Sequence, residues 1–228
     1  MLFDPLRRKE FAEENAITGI LHIGAHYGQE YNTFRDMGVK NYIFFEPMPS
    51  NFEKLNEYLE AQDTNGCSIK TENVALGPED AEKTMYVETA NKGMSNSLLK
   101  PHIHLQLYPG IQFEDEVTVK QTSLDKYIKE NDVNLDDFNF IVIDVQGYEL
   151  EVFKGATETL KSVDYIFSEV NFVEVYEDCA KVHELDEFLG TYGFNRVETC
   201  NVANAWGDAL YTKKPVEENN FKISGLPV

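Results

Sequence analysis

Short apolar clusters separated by glycines, prolines and acidic turns run the length of the chain, and two periods alternate. GILHIGA (19–25) is a continuous apolar run, which predicts a buried strand ending in a glycine turn. EYNTFRDMG (30–38) sets Tyr31, Phe34 and Met37 at helical spacing before a Gly38 stop. NYIFFE (41–46) predicts a second strand, and PSNFEKLNEYLEA (49–61) a helix with Ser50 as N-cap and Phe52, Leu55 and Leu59 on one face. SIKTENVAL (68–76) predicts a third strand. In the middle, KTMYVET (83–89) and DEVTVKQTSL (115–124) alternate as strands around a long irregular stretch at 90–110. A loop of about 20 residues inside a compact domain is uncommon and often functional. Within it Ile103, Leu105 and Leu107 alternate, which fits an edge strand as well as a lid or a dimer contact. Helices are then predicted over 123–131, 148–162 and 183–194, with strands at FNFIVIDV (138–145) and VDYIFSEV (163–170). FNRVETC (194–200) and DALYTKK (208–214) form a closing antiparallel pair.

Strands alternating with helices predict an α/β fold, a mostly parallel sheet covered by helices on both faces, with the last hairpin as an antiparallel edge. Ligands of such sheets bind beyond the carboxyl ends of the strands. Gly24, Glu46, Asp144 and Glu169 stand at those ends.

Composition narrows the picture. With 228 residues, 42% of them hydrophobic, the chain fits one domain with a substantial core. A net charge of -20 repels phosphate backbones and anionic membranes, so nucleic acid is a poor partner. Cys67, Cys179 and Cys200 are dispersed and form no CxxC pair, which argues against a disulfide framework or a structural zinc site. No apolar run reaches a membrane span, and MLFDPLRRKEFAEENA has no signal-peptide core. The expectation is a cytoplasmic protein of a reducing compartment. Oligomeric state is left open, and so is membership of a larger glycan-building polypeptide.

The turn Gly24-Ala25-His26-Tyr27-Gly28 allows close backbone approach, and the helix start beyond it suggests free N–H groups for a phosphate or a carboxylate. The middle glycine of GxGxxG, which admits a pyrophosphate, is missing, and this argues against a nicotinamide or flavin enzyme. Glu46, 18 residues after Gly28, can accept both hydroxyls of a ribose. Turn and acid together favour an adenosine-containing ligand without a diphosphate. S-adenosyl-L-methionine fits, with its ribose on Glu46 and its methionine end over the turn.

Asn73 and Val74, at the end of the third strand, fall where an adenine would sit. Asp144 closes the apolar run FIVID, so its carboxylate should emerge at the sheet edge as the first catalytic candidate, with a helix cap as the plain alternative. Gln146 and Glu149 follow on the same turn. Glu169 ends YIFSE, and a carboxylate there needs a partner or a polar pocket. Asn171 should face the same cleft. His22, His26, His102, His104 and His183, with Asp144 and Glu169, raise a divalent metal. No HExxH or other tight ligand spacing is present, so a metal is not favoured.

HIGAHYGQE, FFEPMPSNFEKL, NVALG, MSNSL, VKQTSLDKYI, FIVIDVQGYELEVFKGA, FSEV and a late L…YGF, in this order from about residue 19 to 212, resemble the FkbM family of S-adenosyl-L-methionine-dependent methyltransferases. The resemblance implies the Rossmann-like class I methyltransferase fold, a seven-stranded mostly parallel sheet with a C-terminal antiparallel hairpin. It also implies O-methylation of a sugar hydroxyl in a glycan or glycosylated metabolite. It divides the chain into an N-terminal helical extension (1–18), a methyltransferase domain (19–214) and a tail (215–228). Cofactor contacts would come from His22, Gly24, Ala25, His26, Gly28, Glu30, Glu46, Pro47, Asn73, Val74, Ala75, Ser95 and Asp144, and catalysis from Asp144, Gln146 and Glu169. The common family pattern has Asp two residues before the first glycine, to hold the methionine amino group. This chain has His22, and Glu30 is expected to supply the carboxylate. A non-catalytic binding module that kept the fold is the competing reading, and a nucleotide-dependent oxidoreductase the weaker one.

Overall fold

A computed structural model describes residues 17–64, 66–203 and 205–213. In chain order the elements are β1 (Gly19–Ile23), α1 (Tyr31–Asp36), β2 (Asn41–Phe45), α2 (Pro49–Glu60), β3 (Ser68–Glu72), β4 (Ala75–Leu76), β5 (Ala81–Glu88), α3 (His104–Leu107), β6 (Phe113–Thr122) and α4 (Leu124–Glu130). They continue with β7 (Phe140–Ile143), α5 (Glu149–Lys154), α6 (Thr159–Ser162), β8 (Tyr165–Asn171), α7 (Val182–Gly190), β9 (Asn195–Cys200) and β10 (Trp206–Thr212). The helical extension and the tail expected at the two ends lie outside the described residues, apart from Ile17 and Thr18.

The main sheet has seven strands in the order β3-β2-β1-β7-β8-β10-β9. Pairs from β3 to β8 are parallel, and β10 pairs antiparallel with β8 and β9. The order turns back between β1 and β7, so a crevice opens there at the carboxyl edge. The central strands are apolar throughout because both faces are covered. Ile20, Phe44, Val142 and Phe167 meet Tyr31 and Phe34 of α1 and Leu55 of α2. On the other face Leu21, Ile43, Ile143 and Ile166 meet Ile128, Phe153, Leu160 and Leu185 of α4 to α7. Each such side chain stabilises the fold by roughly 1.5–3 kcal/mol on burial.

Three expectations are corrected. The strand predicted over 68–76 is two. Asn73 turns its amide onto the carbonyls of Glu46 (2.8 Å) and Pro47 (3.0 Å), which ends the β3 ladder and sends β4 into another sheet. That second sheet, β4-β6-β5, packs around Ala75, Met85, Val87 and Val119. The helix predicted over 148–162 breaks at Gly155, where a Cβ would lie 2.0 Å from the Gly77 carbonyl oxygen. Asp125 pins the break by accepting from the N–H groups of Glu158 and Thr159, 2.8 Å each. Ile103, Leu105 and Leu107 alternate in sequence but form no edge strand; this segment holds the single helical turn α3, anchored by the N–H groups of His102 and His104 on the Val175 carbonyl. Among the described residues no helix is long and apolar enough to cross a membrane.

Candidate active site

Carboxylates stand along the carboxyl edge in strand order: Glu46 after β2, Asp144 after β7, Glu169 in β8 and Asp208 in β10. Neighbouring strands are about 4.8 Å apart, so the four steps from β2 to β10 cover roughly 19 Å. All four residues line one cavity of about 510 Å³, a size typical of small-molecule sites.

The glycine turn closes on itself. The N–H groups of Gly24 and Ala25 both donate to the Phe45 carbonyl at 3.0 Å, and that of His26 donates to Glu46 Oε2 at 2.8 Å. Tyr27 N–H goes to Gln29 Oε1 (3.2 Å) and Gly28 N–H to the Ala25 carbonyl (2.8 Å). The expected free donors are therefore committed, and the turn is no anion cradle. It offers close approach instead. Gly24 has φ +77°, and a Cβ on it would lie 1.9 Å from the Asp144 carbonyl oxygen.

Glu46 is buried, and Oε1 accepts from Met48 N–H at 2.9 Å. The Asn51 side chain also bonds to this carboxylate, whose two oxygens together still keep acceptor capacity for a further donor. Burial raises its carboxyl to about 7, against the pull of these backbone bonds. Glu149 is likewise raised by burial to about 7. The native protein thus holds protons that the unfolded chain has released above its ordinary carboxylate range, so stability falls as pH rises through this interval. Thermal unfolding should show Tm dropping by roughly 10–20 °C from pH 5 to pH 8, on the order of 3 kcal/mol for each of the two shifted groups. A flat or rising Tm would contradict these shifts.

His22 sits at the foot of the cavity, its ring 5.8 Å from that of Phe34 and 5.5 Å from that of Phe44, with Nδ1 unpartnered. Burial lowers its pKa to about 3, so the ring is neutral. Glu30 lines the same cavity, and its side chain does not cap α1.

The turn after β7 is the most constrained part of the site. Gln146 adopts φ +54°, and the Ser97 hydroxyl donates to its carbonyl at 2.7 Å. Its Nε2 donates to Asp144 Oδ1 (2.7 Å) and Glu169 Oε2 (2.9 Å), and its Oε1 accepts from the Tyr176 hydroxyl (2.7 Å). These three contacts fix the amide's orientation. Asp144, Glu149 and Glu169 can bring oxygens within 4.8 Å of one another, as cation ligands do. However, the Gln146 amide already bridges Asp144 and Glu169, and Glu149 Oε1 accepts from the N–H groups of Val145 (3.0 Å) and Gly147 (3.2 Å), organising the turn. Asp144 is open to the cavity yet walled by protein behind, and desolvation raises its carboxyl. Glu169 is raised further, by burial first and then by Asp144, Glu149 and Asp208.

The cavity gathers His22, Gly24, Ala25, His26, Glu30, Glu46, Pro47, Val74, Ala75, Ser95, Asp144, Gln146 and Glu169. It does not gather Gly28, which packs on Leu55, nor Asn73, which braces the chain after β2. Asn171 is buried outside the lining with its side-chain amide unpartnered, contrary to expectation. Asp208, Tyr176, Tyr108 and Trp206 belong to the lining although no motif marked them. The one sequence signal was an acid, Asp208, inside the otherwise apolar β10, directly opposite Glu169.

The family of the Methyltransferase FkbM domain matches residues 22–196. The chain belongs to the FkbM methyltransferase family. It is 27% identical over 179 residues to 2-O-methyltransferase NoeI of Sinorhizobium fredii, covering 76% of this chain and 71% of that protein. It is 28% identical over 131 residues to hexuronic acid methyltransferase AglP of Haloferax volcanii, covering 58% of this chain and 47% of that one. Among solved structures, FkbM methyltransferase from Methylobacillus flagellatus KT superposes with TM-score 0.54 at 14% identity, over 85% of this chain and 43% of the other. As an FkbM methyltransferase, the chain carries the family's match from the end of β1 to the start of β9, and the carboxylates of Glu46, Asp144 and Glu169 fall within it.

Proposed function

We propose that this FkbM methyltransferase transfers a methyl group from S-adenosyl-L-methionine to a hydroxyl of a sugar, in a glycan or glycosylated metabolite. The observation that carries the reading is one cavity in which an adenosine-type subsite, Glu46 beside the closed glycine turn, adjoins the Asp144–Gln146–Glu169 cluster. The names of NoeI and AglP support the acceptor class.

The residues fit the cofactor. Glu46 has acceptor lone pairs for ribose hydroxyls, Val74, Ala75 and Met85 give an apolar wall for a base, and the Gly24–Ala25 backbone allows close approach to the methionine end. Glu30 supplies the carboxylate that neutral His22 cannot. When bound, the cofactor supplies an electrophilic methyl group on a sulfonium, so the protein's work is positioning and proton removal. Asp144 accepts the proton of the acceptor hydroxyl. Its raised pKa makes it a better base near neutral pH than an exposed carboxylate. Gln146 holds Asp144 at 2.7 Å and ties it to Glu169. Glu169, the more strongly raised of the two, keeps its proton and spares Asp144 a second adjacent negative charge.

Glu46→Ala should weaken S-adenosylhomocysteine binding by about 10–100-fold, the loss of charge-assisted hydrogen bonds to two hydroxyls. Calorimetric titration of both proteins, with NAD as the control ligand, checks this. Equal affinities would remove the ribose assignment, and saturable NAD binding would redirect the reading to a dinucleotide enzyme.

A further inference from the structure

Beyond the Asp144–Glu169 pair the cavity continues over β8 and β10, and this half is built unlike a receptor for an acid. Among the described residues no lysine or arginine lines the cavity, whereas Glu30, Glu46, Asp144, Glu169 and Asp208 do. Its histidines do not compensate. His22 is neutral. His26 has Nδ1 hydrogen-bonded to Gln29 (2.9 Å) and Nε2 to the Lys92 carbonyl (2.9 Å). His104 is buried, and burial lowers its pKa. Sites that recognise carboxylates or phosphates present guanidinium or ammonium groups, and like charges brought together cost several kcal/mol.

The same half offers contacts suited to an uncharged polyol. His104 Nδ1 is buried and unpartnered, on a side chain that lines the cavity. A neutral imidazole nitrogen there suits a hydroxyl. The Trp206 indole N–H donates to the Tyr108 hydroxyl at 2.8 Å, which locks two aromatic side chains into one wall that can cover the apolar face of a sugar ring. Asp208, held by Asn201 Nδ2 at 2.6 Å, adds an acceptor for a hydroxyl proton.

We propose that the sugar residue seated in this half of the cavity is uncharged, and that Asp208 acts as the filter that rejects uronic acids. This rests on the sugar O-methyltransferase reading and narrows it. It also separates this chain from one relative, whose name gives a hexuronic acid as its substrate.

The test uses the full chain, S-adenosyl-L-methionine and paired acceptors: p-nitrophenyl hexosides and 6-deoxyhexosides against the matching p-nitrophenyl hexuronides, with and without magnesium. Neutral glycosides should be methylated with kcat/KM about 100-fold above the uronides. A preference below tenfold, or uronide turnover that magnesium brings to parity, overturns the proposal and leaves sugar methylation standing. Turnover of neither class, by protein that binds S-adenosylhomocysteine calorimetrically, removes the sugar reading and the proposal with it. In Asp208→Asn the neutral-to-uronide ratio should fall about tenfold. An equal loss on both classes would assign Asp208 a structural role and remove it as the filter.

Discussion

Asp144→Asn lowers kcat by about 10²–10⁴-fold and leaves S-adenosylhomocysteine affinity within roughly threefold of wild type; this is the expected result if Asp144 is the general base. The replacement is isosteric, and its side-chain oxygen can still accept from Gln146 Nε2, so the Gln146–Tyr176 arrangement survives. Only the ability to take a proton is lost. In wild type, activity should fall with acid through a midpoint above the ordinary carboxylate range, because desolvation raises the Asp144 carboxyl and the base must be ionised to act. Single-turnover rates across pH, with calorimetry on both proteins, check the two halves of the expectation. Full activity in the variant would exclude Asp144 as base. A loss of affinity matching the loss of rate would make it a cofactor contact.

Among the described glycines, Gly24→Ala should be the most damaging change to alanine, at about 4 kcal/mol or more and roughly 10 °C in Tm. Two costs add. A residue with a Cβ is strained at φ +77°, and the Cβ would stand 1.9 Å from the Asp144 carbonyl oxygen. That carbonyl cannot retreat freely, since Asp144 N–H donates to the Ile23 carbonyl at 3.0 Å at the end of the parallel ladder. Gly38 provides the control: its φ is +88°, and a Cβ there would meet nothing within 4 Å. Gly38→Ala should cost only about 1 kcal/mol. Thermal melts of the two variants separate the steric term from the backbone term, and equal losses would refute the contact argument.

Much of the fold was legible because parallel strands covered on both faces become continuous apolar runs, and GILHI, YIFF, FIVI and YIFS stand out as such. Carboxylates that follow such runs were legible for the same reason, and Glu46, Asp144 and Glu169 do meet in one cavity. Turn chemistry was harder. Nothing local said that the Phe45 carbonyl would absorb two of the glycine turn's donors, or that Asn73 would serve the chain after β2 rather than a ligand. The far half of the cavity was least legible. Tyr108, Tyr176, Trp206 and Asp208 come from separated segments, and only the pairing of β10 with β8 and the seating of α3 on Val175 bring them together.

Ser97 is fastened by its backbone to Tyr86 (2.8 and 3.2 Å) and by its hydroxyl to Gln146. Downstream, β6 resumes at Phe113. The residues between, which carry His104 and Tyr108, are tied midway to the chain after β8, by the N–H groups of His102 and His104 on the Val175 carbonyl and by Glu177 N–H on the Lys100 carbonyl. A Cβ on Gly147 would lie 3.5 Å from Leu99 Cδ1, and the His104 ring is 5.4 Å from that of Tyr176, which holds Gln146, so an exchange in this segment is felt at the Asp144 turn. On the proposed function, the wall that meets the acceptor and the turn that holds the base are therefore mechanically tied, and a change made in one is read out in the other.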